Sequence, residues 1–120
     1  MEKLSVFRGG FTREAAGQVA APQENISVIL RLLARLVSKS LLQVDPAQAR
    51  YQVHELLRQY ALERLEHSGG LDDTRTAHAD YFLELLYQRE ADIKGGQDQK
   101  GALDEIEADF ANIQAAWEWA

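Results

Sequence analysis

The chain has no cysteine, which excludes a disulfide scaffold, a thiolate zinc site and a cysteine nucleophile together and permits an intracellular setting. Proline is scarce too, with two residues in 120, so few positions forbid helix. No uncharged run approaches the about eighteen apolar residues that a membrane span needs. The first residues carry Glu2, Lys3 and Arg8 instead of a signal-peptide core, and the expected setting is cytoplasmic. Also missing are a G-x-x-x-x-G-K-[ST] loop, a dinucleotide glycine fingerprint and an H-E-x-x-H pair, so the chain shows no machinery of its own for nucleotide or zinc catalysis. His54, His67 and His78 lack the i, i+4 spacing that places two metal ligands on one helical face. We therefore expect no enzyme, no metal and no cofactor in this chain by itself.

What is present is a folding composition, 46% hydrophobic and 27% charged, too apolar for intrinsic disorder. The charge is uneven. Residues 1–60 hold eight Lys+Arg against five Asp+Glu, and residues 61–120 hold five against fourteen, for a net charge of −6. A general polyanion binder is disfavoured, while a basic patch in the first half remains open.

Turn signals at Gly9-Gly10, Pro22, Asp45-Pro46, Gly69-Gly70 and Gly95-Gly96 divide the chain. Leu4 to Phe7 reads as the last turn of a helix cut short. Thr12 is an N-cap candidate for a helix to residue 21. From Asn25 to Lys39, Ile26, Ile29, Leu30, Leu33, Leu36 and Val37 recur at three and four, the strongest helical pattern in the chain. The period then becomes two. Leu42 and Val44, a turn at 45–49, and Tyr51 and Val53 predict a hairpin. Leu57, Ala61 and Leu65 predict a helix over 54–67 that packs against Leu33, Leu36 and Val37, with Gly69-Gly70 closing it. Asp72, Asp73 and Thr74 are cap candidates for a helix that carries Ala77, His78, Tyr81, Phe82, Leu85 and Leu86 and ends at Gly95. A single last helix is expected to carry Leu103, Ile106, Phe110, Ile113, Trp117 and Ala120 as a seam in search of a partner helix. The same seam predicts self-association.

The fold class expected is mainly α: a winged helix over 1–68, with three helices, a two-stranded hairpin and a following helix, then a helical segment over 69–120. In a winged helix the third helix is the one able to enter a DNA major groove. Here it bears Arg31, Arg35 and Lys39 at i, i+4 and i+8. The stripe has no Asn or Gln base reader and the hairpin tip has no cation between Asp45 and Ala49. The stripe is therefore expected to contact solvent or protein, with DNA as the alternative.

Three runs suggest a family: Leu4 to Thr12 (LSVFRGGFT), Leu33 to Leu42 (LARLVSKSLL) and Tyr51 to Ala61 (YQVHELLRQYA). Together they resemble the winged-helix segment of STAND ATPases, in particular the LuxR- and AfsR-like bacterial regulators of the NB-ARC type. Ala77 to Phe82 (AHADYF) and Asn112 to Trp119 (NIQAAWEW) extend the likeness toward the stretch that in the family opens tetratricopeptide-like (TPR-like) repeats. The resemblance implies a signalling protein that binds ADP or ATP with Mg through an upstream module and senses through downstream repeats, these two being the partners of the present segment. It also implies a nucleotide-sensing role for His54, because Val53-His54-Glu55 is similar to the family's Met-His-Asp-like motif, with Val for Met and Glu for Asp. A helix start is a place where backbone N–H groups favour an anion; without the resemblance, a capping histidine is the simpler reading. The alternative function is a DNA-binding winged helix, and a third is a plain helical scaffold.

Overall fold

The computed structural model of the chain describes residues 2–96 and 99–119. Its first element is a 3-10 helix, Glu2–Val6, where the sequence pattern suggested the end of an α-helix, and Leu4, Ser5 and Val6 are buried. Strand β1 follows at Phe11–Thr12, then α1 at Arg13–Ala20 and α2 at Ile26–Ser38. The Thr12 cap falls where the sequence placed it, and Asn25 caps α2. Thr12 Oγ1 accepts from Ala15 N–H at 3.2 Å, and Asn25 Oδ1 accepts from Val28 N–H at 3.0 Å, each satisfying one orphan donor of its helix.

Strands β2 (Leu42–Asp45) and β3 (Arg50–Val53) form the predicted hairpin, pairing Leu42 with Val53 and Asp45 with Arg50. The sheet has three strands, not two, in the order β1-β3-β2, with Phe11 opposite Tyr51. Two residues are too few to show alternation, so β1 left no periodic signal. At the wing tip Asp45 Oδ1 accepts from Ala47 N–H at 3.0 Å, and Ala49 is left-handed at φ 54°. A Cβ in that region costs about 1–2 kcal/mol. Ala49→Gly is therefore expected to stabilise the chain by about 0.5–1 kcal/mol after the extra unfolded-state entropy is deducted. The midpoint of urea unfolding should rise.

Helix α3 (Glu55–Ser68) ends at Gly69, which takes φ 85° as the pattern required. Its Ala61 and Leu65 are buried, but their main partner is the 3-10 helix. Leu65 shares the core with Leu33 as expected, but the main neighbours of α2 are α1 and β2. On α2 itself only Ile29 and Leu33 are buried; Ile26, placed on the inner face by its spacing, is half exposed.

Helix α4 (Leu71–Lys94) has Gly70 at its N-cap with no side-chain cap bond, so Asp72 and Asp73 sit in its first turn instead of capping it. The expected last helix is two: α5 (Gln99–Ala108) and α6 (Phe110–Trp119). At the break Arg50 donates to Ala108 O at 3.4 Å and to Asp109 Oδ1 at 2.8 Å. A side chain inserted at a helical carbonyl is a recognised cause of such interruptions. The inward face consists of Ala102, Asp109, Asn112, Ile113 and Ala116, while Leu103, Phe110 and Trp117 point outward. The seam read from spacing thus splits, and Ala120, its last member, lies outside the described residues.

One hydrophobic cluster runs through the whole: Leu4, Phe7, Phe11, Val19, Leu33 and Leu65 from the first half join Ala79, Phe82, Ile113 and Ala116 from the second. Phe7 is its hub, stacked on Phe11 at 4.6 Å and edge-on to Phe82 at 6.0 Å between centroids.

Candidate functional site

His54 stands between β3 and α3, exposed, as the N-cap of a 14-residue helix. Its Nδ1 accepts from Leu56 N–H at 3.3 Å. With Nδ1 accepting, the ring carries its hydrogen on Nε2, an N–H donor with no partner among the described residues. Beside it Glu55 accepts from Arg58 at 2.8 and 3.0 Å and from Gln59 at 3.2 Å. The Arg58 hydrogen bonds, followed by that of Gln59, hold the Glu55 carboxyl down at about 2, so Glu55 is ionised and engaged with its own helix. The junction can thus offer an anion one imidazole N–H at a positive helix end. This fits a single contact to a diphosphate. No cluster of three metal-type side chains occurs among the described residues.

Arg31, Arg35 and Lys39 are all exposed on α2 or at its C-cap, and none makes an ion pair with a described residue. The structure does not bring them together with His54 into a described contact. They form a free basic stripe on the helix that a winged fold can present to a duplex.

Sequence reasoning missed the polar joint that ties the two halves together. Asn112, fully buried on α6, accepts on Oδ1 from Arg8 N–H at 2.6 Å and donates from Nδ2 to Gly10 O at 2.8 Å. His78 Nε2 lies 3.2 Å from the same Oδ1, as a donor would. The Arg50–Asp109 pair, with side chains 14% and 10% exposed, adds a second tie. Arg58 Nη1 also donates to Ser5 O at 3.1 Å, linking α3 to the 3-10 helix.

Burial, above all, pushes the His78 imidazole below its ordinary value; Arg8 and Arg75 push the same way, and the Asn112 bond opposes them. The folded chain therefore resists protonating His78, while the unfolded chain takes up the proton near 6.5. Stability is thus whole above that pH and declines as pH falls below it, by at most about 1.4 kcal/mol per pH unit from this group. His78→Gln, which keeps a donor for Asn112, is expected to flatten the decline in melting temperature between pH 7 and 5. An unchanged slope would show that carboxylates alone cause it.

The sheet order, the helix before the wing and the wing itself define a winged helix, and the chain belongs to the winged helix-turn-helix domain family, whose model matches residues 1–66. A Mycobacterium tuberculosis H37Rv protein, provisionally named HTH-type transcriptional regulator Rv0890c, is 33% identical over 121 aligned residues covering 98% of this chain. The Mycobacterium bovis regulator Mb0914c, of the same provisional name, gives the same figures. Uncharacterized protein Rv0894 of the same H37Rv strain is 37% identical over 76 residues, 60% of this chain and 19% of that protein. The chain spans 13% of the length of the two regulators. No solved structure matches significantly. No described helix is long and apolar enough to cross a membrane.

Proposed function

We propose that this chain is the transducing segment of a STAND-type regulator, coupling the nucleotide state of an upstream ATP-binding module to downstream TPR-like helices without catalysis of its own. The observation that carries the reading is mechanical. The winged helix and the helices after it share one core and are clasped by Asn112 and by the Arg50–Asp109 pair, so a displacement at the His54 end would carry α4 to α6 with it. In this reading His54 donates Nε2–H to the diphosphate of the resting state. The exposed Leu103, Phe110 and Trp117 supply a landing surface for following helices, and self-association of the isolated chain would use the same surface. ADP and Mg would be held by the upstream module.

The test is the ADP affinity of the full-length protein with and without His54→Ala. A charge-assisted contact is worth about 1.5–3 kcal/mol, so the variant should bind roughly ten- to a hundredfold more weakly; equal affinities would return His54 to capping alone. The isolated chain should neither hydrolyse ATP nor bind it stoichiometrically at micromolar concentration.

The free stripe of Arg31, Arg35 and Lys39, with the regulator names of the relatives, favours a second reading as a DNA-binding winged helix. A duplex of random sequence separates the two. A steep fall in affinity with salt, lost on replacing the three cations, would establish DNA binding, whereas the transducer reading expects no shifted complex.

A further inference from the structure

A cavity of about 500 Å³ opens between the loop after the 3-10 helix, α4 and α6, with Arg8, Arg75, His78, Gln114, Glu118 and Trp119 in its wall. That volume is in the range of small-molecule sites. Arg75 lies over the Trp119 indole, its guanidinium carbon 5.5 Å from the ring centroid. The indole is itself held by Nε1–H donating to Thr76 Oγ1 at 3.4 Å. The guanidinium N–H fork of such an arginine matches a carboxylate or phosphate.

Neither the Arg8 nor the Arg75 charge is taken up by an ion pair among the described residues, although Arg8 is near enough to the ionised Glu55 to help stabilise it. Arg13, Arg50, Arg58, Arg64 and Arg89 all pair with carboxylates. The side chains of Arg8 and Arg75 make no ion pair or hydrogen bond with a described residue, and both reach this cavity. The fully buried Asn112 fixes the Arg8 backbone from below, and Arg75 lies over an indole. Gln114 adds an amide. Glu118 supplies a carboxylate in this wall, an acceptor for a donor group on the same ligand.

We propose that this cavity binds a small-molecule oxyanion, its phosphate or carboxylate head held between Arg8 and Arg75 and a hydroxyl or ammonium group turned to Glu118. The site is separate from His54 and does not rest on the transducer reading. It bridges the winged helix and α6, so an occupant would tighten the joint between them.

The test follows the Trp119 indole N–H resonance of the 120-residue chain, assigned with Trp117→Phe, during titration with inorganic phosphate, acetate and phosphoethanolamine. A saturable shift is expected with at least one probe: phosphate binding more tightly assigns a phosphorylated ligand, and acetate a carboxylate. Arg75→Gln and Arg8→Gln should each weaken that binding about tenfold or more, and Arg75→Lys, which keeps the charge without the fork, several-fold. Glu118→Gln should weaken phosphoethanolamine and spare inorganic phosphate. No saturable shift with any probe, or affinities unchanged in folded Arg8→Gln protein, would overturn the proposal. The Arg8 side chain bonds to no described residue, so that variant carries the test even where Arg75→Gln fails to fold.

Discussion

Asn112→Ala is expected to lower the unfolding free energy by about 3–5 kcal/mol, because it strands three polar groups at once. The side chain is fully buried and serves Arg8 N–H, Gly10 C=O and His78 from a single amide. Alanine fills none of these roles and opens a space beneath the Arg8 loop. Each buried group left without a partner costs about 1–3 kcal/mol; Arg8 and Gly10 lie near enough to the surface to recover part of that through water. Against a typical total of about 5–15 kcal/mol, the loss should be visible as a large fall in the denaturant midpoint. Asn112→Asp is the sharper probe. It keeps the acceptor for Arg8 and His78, but it loses the donor to Gly10 and buries a charge, so it should also destabilise and should recover as pH falls and the carboxyl is protonated. A midpoint unchanged by both variants would mean that the loop and α6 are not joined in solution.

This joint also shows what the sequence could and could not disclose. Helices α2 and α3 and the β2–β3 hairpin were legible because their apolar residues keep one period over enough length. Strand β1 was not, since pairing Phe11 with Tyr51 is a tertiary event that two residues cannot announce. The seam at the C-terminus misled for a related reason. Spacing alone cannot say that Arg50, 59 residues away, will pair with Asp109 where α5 gives way to α6, nor that a polar Asn112 will turn inward while Phe110 and Trp117 turn outward. Contacts such as Arg8 with Asn112, 104 residues apart, leave no trace in local composition. At the candidate site the position of His54 at a strand-to-helix junction was legible, and its cap bond to Leu56 follows from that place. The cavity walled by Arg8, Arg75 and Trp119 was not legible, because its residues come from three separated segments.

Phe82→Ala is expected to cost about 3–5 kcal/mol, and Phe110→Ala almost nothing, although the periodic pattern put both residues on inward faces. Phe82 is 0% exposed on α4 and meets Phe7 at 6.0 Å, His78 at 4.7 Å and Tyr81 at 4.9 Å between ring centroids. Its removal forfeits the transfer energy of a buried ring and leaves a void where α4 packs on the winged helix. Phe110 is 61% exposed, so truncating it removes apolar surface that is already largely in water, and surface changes of this kind fall within about 0.5 kcal/mol. The pair therefore measures the coupling between the two halves. If the winged helix and α4 unfold as one unit, Phe82→Ala should shift a single transition followed by far- and near-ultraviolet circular dichroism together. Two separated transitions, with only the second moved, would show that the shared core does not bind the halves into one cooperative body, and would remove the mechanical basis of the transducer reading.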